Sequence, residues 1–374
     1  MGLIDFFMFG FRGNYLIPGI ILGIIIGLYT FFRLSKLFSY YNIDKKQSLI
    51  SRSIISLFCF FCCFNVQSSA TILIAYAFAS SIIADIIGIF YKLIFKNGLK
   101  IHKNGILCLI FFILIIGVSI YGINHIEPTE YNLTTNKTNE SYTILFISDV
   151  HYDTIQNPNL LKDKLAEMNN THPDLIILGG DLTDERTSKS SMEEFYREIG
   201  SLNSTYGTFF IFGNHDKQPK ISDLENGTRS YSNNELTNII EENGIEILAD
   251  EKIIINEDIL LVAREDAGHE NTNIRLSSLE LLNNTDSKDF IILLDHQPLD
   301  EENNSKNGVD LQLSGHTHGG QLFPYGIVTE LLGQHSYGKY QIGNMIEIVS
   351  SGFCGWGIPL RNEAPCEYVI ININ

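Results

Sequence analysis

Eight polar side chains stand out in the later part of this 374-residue chain. They are Asp149 and His151 in "SDVHYD", Asp181 in "GGDLTD", Asn214 and His215 in "GNHD", His296 in "DHQP", and His316 and His318 in "SGHTHGG". Two hard divalent cations a few ångströms apart need several oxygen and imidazole ligands plus one carboxylate able to touch both, and this set holds that inventory. Asp149 and His151 are one residue apart, as are His316 and His318, so in an extended segment each pair can point the same way. Two glycines before Asp181 let the backbone turn sharply and bring its carboxylate near both ions. Asn214 offers a neutral amide oxygen. Any one of these pieces alone reads as ordinary turn chemistry. Five of them in order, each ending an apolar run, read as a metal site.

The elements that must position them alternate in type. "YTILFISDV", "DLIILGGDL", "GTFFIFGNHD", "DFIILLDHQ" and "VDLQLSGHTH" are short β-rich runs that end in polar, mostly Gly-containing turns, whereas "NLLKDKLAEMNN", "SMEEFYREIGSL" and "NELTNIIEENG" have helical spacing. Continuous apolar strands mark a sheet buried on both faces, so the spacing predicts a layered α/β core with its functional residues at the carboxyl edge. "MIEIVSSGF" and "EYVIININ" add strand without intervening helix, which predicts a second, partly antiparallel sheet.

With these residues in place, the region from about Tyr142 to Asn374 resembles the calcineurin-like metallophosphoesterases, whose motif series runs D-x-H, G-D, G-N-H-[DE], H and G-H-x-H. "LVAREDAGHENTNIRLSSLELL", "DHQP", "SGHTHGGQLFP", "YGKYQIG" and "SSGFCGWGIPLRNEAP" resemble its membrane-linked bacterial and archaeal branch. The resemblance implies an α/β sandwich of two mixed β-sheets flanked by helices. It implies that Asp149, His151 and His318 hold one metal, that Asp181 bridges, and that Asn214, His296 and His316 complete the second. It also implies that His215 stabilises or protonates the leaving oxygen, with Asp216 orienting it. Two divalent ions, Mn, Fe or Zn, would then lower the pKa of a shared water so that hydroxide attacks a phosphodiester or phosphomonoester in line. Arg264 and Arg275 are candidate grips for the substrate phosphate, against a plainer reading as structural ion pairs with neighbours such as Asp266. No ligand position is substituted, which favours an enzyme over a non-catalytic binding or sensor module on the same fold.

The first third is different material. "YLIPGIILGIIIGLYTFF" from Tyr15, "LISRSIISLFCFFCCFNV" from Leu49, "ATILIAYAFASSIIADIIGIFY" from Ala70 and "GILCLIFFILIIGVSIYGI" from Gly105 are each about long enough to cross hydrocarbon. The expected order is a four-helix transmembrane region over 1–125, a polar linker over 126–142, and the phosphoesterase-like domain over 143–374. A single intramembrane acid, Asp85, is thin support for a transporter and is expected to face the bundle interior or an end. Through Ile126 the chain carries 10 Lys and Arg against 3 Asp and Glu; the remainder carries 16 against 40. So acidic a domain is a poor partner for nucleic acid. Cations cluster between Arg33 and Ser48 and between Lys92 and Asn104, while the connection near Gln67 and the stretch 124–136 have none, Lys and Arg being counted. The positive-inside rule therefore expects a multi-pass cell-membrane protein with both chain ends, and the catalytic domain, outside. There Cys354 and Cys366 could pair.

Overall fold

The strand Tyr142–Ile147 shows why such runs read as apolar throughout. Ile144 and Phe146 enter one buried cluster, and Leu145 and Ile147 enter another on the opposite face. The structure, a computed structural model, describes residues 16–65, 68–220, 227–268, 274–283, 285 and 288–374. Tyr15 of the first apolar run, Gln67, and residues 269–273, 284, 286 and 287 lie outside the described residues, as do 221–226. Two compact units divide at Val118 and Ser119.

The first unit holds helices α1 (Leu16–Tyr40), α2 (Lys45–Cys62), α3 (Ser69–Phe95) and most of α4 (Ile101–Asn124). Gly19, Gly23 and Gly27 form a buried stripe on α1. A Cβ at Gly19 would sit 2.4 Å from the Cys63 carbonyl, and one at Gly23 would sit 2.8 Å from that of Phe60, so the bare glycines let α2 lie directly on α1. Among the described residues, three helices can cross a membrane by length and composition, α1, α3 and residues 103–124 of α4, rather than the four expected. The shortfall is α2, whose Lys45, Lys46 and Arg52 dilute its apolar run. Asp85 forms an ion pair with Arg33 and accepts from the Tyr29 hydroxyl at 2.7 Å, so it is bonded to α1 rather than standing alone.

The second unit stacks two six-stranded sheets. One is ordered β1 (Ile126–Leu133), β12 (Cys366–Ile373), β2 (Tyr142–Ile147), β3 (Leu175–Leu178), β4 (Thr208–Phe210), β5 (Ile245–Ile247). The other is ordered β10 (Gly338–Ile342), β11 (Met345–Val349), β9 (Leu311–Ser314), β8 (Phe290–Leu294), β7 (Ile259–Ala263), β6 (Glu251–Ile255). Both are mixed: β2 to β5 run parallel with β12 antiparallel to β2, and β7, β8, β9 and β11 run parallel between antiparallel β6 and β10. Ile144, Phe146 and Ile177 of one sheet share a buried cluster with Ile292, Leu294 and Leu313 of the other. Helices α5 (Asn159–Asn169), α6 (Lys189–Ile199) and α7 (Asn233–Glu242) contribute to the cluster on the far face of the first sheet, for example Leu161, Phe195 and Leu236.

The expected linker is in part a strand. β1 pairs in parallel with β12 from Ile126 opposite Cys366 to Leu133 opposite Ile373. Its buried ends, Ile126 and Leu133, fix it to the sheet, while the polar residues between them and Pro128 suit an outermost strand. Cys354 and Cys366 are both buried thiols that are not joined.

Candidate metal centre

Parallel strands deliver the candidate ligands to one edge. Asp149 and His151 follow β2, Asp181 follows β3, Asn214 follows β4, His296 follows β8, and His316 and His318 follow β9. Backbone geometry here departs from the ordinary: Asp149, His151, Asp181, His316 and His318, five of the seven candidates, have positive φ, from 43° to 70°. Such φ values cost energy in residues with a Cβ and persist where the surroundings over-determine them, as at functional sites. At Gly180, φ is 88° and a Cβ would come within 2.7 Å of both the Gly213 nitrogen and His296 Nδ1. Only glycine lets the turns of β3 and β4 close this tightly.

The side chains gather in two groups. Asp149, His151 and His318 present donor atoms within 4.8 Å of one another, and so do Asp181, His296 and His316. Asp181 Oδ2 lies 3.2 Å from His296 Nε2 and 4.0 Å from His151 Nε2, between the groups. Three imidazoles are held by their other nitrogen: His151 Nδ1 is 3.2 Å from Asp184 Oδ2, His296 Nδ1 2.8 Å from the Gly179 carbonyl, and His318 Nδ1 3.2 Å from the Cys354 carbonyl. That arrangement fixes ring orientation and leaves Nε2 as the donor, the usual outer support of a metal ligand. Nε2 of His151, Nε2 of His296 and Oδ1 of Asn214 are buried with no hydrogen-bond partner among the described residues. Buried polar atoms in folded proteins are mostly satisfied, so two imidazole nitrogens and an amide oxygen left this way at the ends of neighbouring strands ask for an electrophile. Four imidazoles, two carboxylates and an amide oxygen fit paired divalent ions of the Mn, Fe or Zn type.

Electrostatics agree. Burial opposes an imidazolium, yet Asp184, Asp181 and Asp149 together lift His151 to about 9, and Asp181 and Asp149 carry His296 well above its ordinary value. The pocket's excess of acceptors draws positive charge, and metal ions would displace those protons. His318 goes the other way, pushed well down by burial, by His151 and by Arg361.

Other sequence expectations are redistributed. Asp216, expected to orient His215, directs its carboxylate to backbone, accepting N–H bonds from Gly213 (2.7 Å), Asp181 (2.9 Å), Leu182 (2.9 Å) and Thr183 (3.1 Å). Glu185 takes the part expected of it, with Oε2 2.8 Å from His215 Nδ1. Arg264 pairs with Asp295 and Asp300, and Arg275 with Asp295 at 2.7 Å. Both guanidinium groups are nearly buried, so they act structurally: they hold the residue before His296 rather than waiting for a phosphate. Asp266, the neighbour expected to pair with them, accepts from the Gln297 side chain at 3.0 Å. Arg361 was not foreseen; fully buried, it donates to the carbonyls of Cys354 (2.7 Å), His318 (2.9 Å) and Ala364 (2.7 Å), knitting the site's loops. A third group, Glu301, His335 and Glu347, is closed by a His335–Glu347 hydrogen bond.

Comparison with known proteins agrees with this geometry. The family model described as Calcineurin-like phosphoesterase matches residues 142–320, from β2 through His318. An uncharacterized metallophosphoesterase of Campylobacter jejuni is 30% identical over 305 residues, which cover 76% of this chain and 75% of that protein. The uncharacterized metallophosphoesterase YkuE of Bacillus subtilis is 30% identical over 261 residues, 66% of this chain and 85% of its own. A bovine protein named transmembrane protein with metallophosphoesterase domain is 28% identical over 234 residues, 61% of this chain and 52% of its own length.

Proposed function

The chain belongs to the calcineurin-like phosphoesterase family, and on that premise we propose that it is a membrane-anchored, two-metal phosphoesterase. The observation that carries the reading is Asp181, whose carboxylate lies within reach of histidines from both ligand groups. In this reading Asp149, His151 and His318 would hold one cation and Asn214, His296 and His316 the other, with Asp181, placed between the two groups, as a ligand available to each. When bound, the cations supply Lewis acidity, acidifying a water and drawing charge from the phosphoryl oxygens.

The chain's own residues do the rest. Glu185 holds Nδ1 of His215 and so orients the ring, whose Nε2 would give a proton to the departing oxygen, a contribution of about 10²- to 10⁴-fold. Asp216 ties the turn carrying Asp181 to the turn carrying Asn214, so the ligands of both groups share one rigid frame. The substrate is a phosphodiester or phosphomonoester of lipid or envelope origin. Attachment to a bilayer supports that choice, and 40 acidic against 16 basic residues beyond Ile126 work against nucleic acid. The domain lies on the extracytoplasmic side of the cell membrane: Lys and Arg cluster between Arg33 and Ser48 and between Lys92 and Asn104, whereas the stretch 124–136 that leads into the domain has none, which supports its lying on the cation-poor side.

Hydrolysis of p-nitrophenyl phosphate and bis(p-nitrophenyl) phosphate by the full chain in detergent with Mn tests the reading. Asp181→Ala should abolish turnover, and His215→Ala should keep bound metal while losing about 10²-fold or more. Equal turnover by wild type and Asp181→Ala contradicts it.

A further inference from the structure

Directly after His316 and His318 the chain runs through Gln321 and Pro324 into a short helix, α8 (Tyr325–Leu331). Its outer surface is apolar and open: Phe323 is 57% exposed, Tyr325 53%, Ile327 50%, Leu331 81% and Leu332 77%. The one acid or base among residues 321–334, Glu330, is turned back onto the Ser336 nitrogen at 2.8 Å and the Tyr340 hydroxyl. An uncharged apolar face on so acidic a domain needs a partner.

This face is rigidly built. Asn362 Oδ1 accepts from the Phe323 nitrogen at 2.9 Å, and the Glu363 carboxylate accepts from the nitrogens of Gly326 (2.8 Å) and Ile327 (3.1 Å). The same Asn362 donates through Nδ2 to Ser119 Oγ at 2.7 Å, and the Arg361 nitrogen donates to the Ser119 carbonyl at 2.8 Å. Ser119 to Asn124 are the last residues of the apolar span 103–124. Asn362 therefore binds both the end of a membrane-crossing helix and the start of the apolar face, placing that face at the depth where hydrocarbon meets water. Aromatic and large aliphatic side chains settle at that boundary. Gln321 links the face to the site: its side chain accepts from the Trp356 nitrogen at 2.8 Å, and the Trp356 ring lies 5.2 Å from that of His215.

We propose that Phe323, Tyr325, Ile327, Val328, Leu331 and Leu332 form an interfacial wedge that rests in the bilayer surface and presents the metal centre to phosphoesters of lipid headgroups. The lipid-substrate half rests on the phosphoesterase reading above; the docking half does not. The full chain is reconstituted into phosphatidylcholine–phosphatidylglycerol vesicles whose lipids carry a nitroxide high on the acyl chain. A bimane label at Leu331→Cys should be strongly quenched, and one at Ile254→Cys, exposed on β6, should not, with the labelled wild-type chain as background. Equal, weak quenching at both positions overturns the wedge. Disulfide cross-linking of Leu331→Cys between chains assigns the face to a second copy instead and also overturns it.

The catalytic arm compares membrane-embedded hexadecyl p-nitrophenyl phosphate with soluble methyl p-nitrophenyl phosphate, which have the same leaving group. Leu331→Glu/Leu332→Glu should lose about tenfold or more in kcat/KM on the embedded ester, the scale of losing one or two large apolar contacts, and keep its rate on the soluble one. Equal losses on both, or none on either, contradict the lipid half. A wild-type chain inactive on both esters refutes the phosphoesterase reading and with it the lipid half, while quenching still decides the wedge.

Discussion

At the scale of single residues, the site joins two kinds of side chain, those that reach inward and those that hold them. The inward set was legible, because Asp, His and Asn at one- and two-residue spacings around glycine carry their chemistry in their identity. The supporting set was not. Whether a carboxylate meets a ring or a backbone N–H depends on the path of the turn, so Asp216 read as the partner of its neighbour His215, and Glu185, four residues beyond Asp181, went unread. Glu185→Gln should lower kcat by about 10- to 100-fold while leaving metal content unchanged, as outer partners of catalytic groups do. Steady-state kinetics beside metal analysis checks it; an unchanged kcat would return Glu185 to a structural role. The two arginines carry a similar lesson: guanidinium groups near a phosphate chemistry invite a binding role, but Asp295 and Asp300 already occupy both.

At the scale of elements, apolar runs ending in polar turns located β2, β3, β4, β8 and β9, because strands covered on both faces carry a strong signal. β1 escaped notice for the opposite reason. Its middle is polar, it contains Pro128, and only its two end residues are buried, so nothing in its composition separates it from a tether. Strand ends also set the cost of the site. Gly180→Ala would force a Cβ at φ 88° into the Gly213 nitrogen and His296 Nδ1. It should destabilise the domain by about 1–3 kcal/mol and weaken metal retention, read by thermal unfolding with and without Mn. Wild-type melting and metal content in that variant would show that the close approach of the two turns is dispensable.

At the scale of the whole molecule, charge and hydropathy divide the chain into a cationic, apolar first third and an acidic remainder near Ile126, and the two compact units part at Val118 and Ser119. The number of spans was misread because α2 combines membrane length with Lys45, Lys46 and Arg52, three charges that set it apart from the three more apolar helices among the described residues. Protease added to intact cells should cleave the acidic domain and spare cytoplasmic controls; protection of the domain until the cells are opened would place it inside.

The account as a whole stands on one centre assembled from five strand ends. Its most direct test is the metal content of the purified full chain, by inductively coupled plasma mass spectrometry after Mn loading and desalting. The account expects about two equivalents per chain, as a dinuclear site requires, and loss of both ions in Asp181→Ala. A chain that retains less than one equivalent, or an Asp181→Ala variant that keeps its full complement, would contradict it.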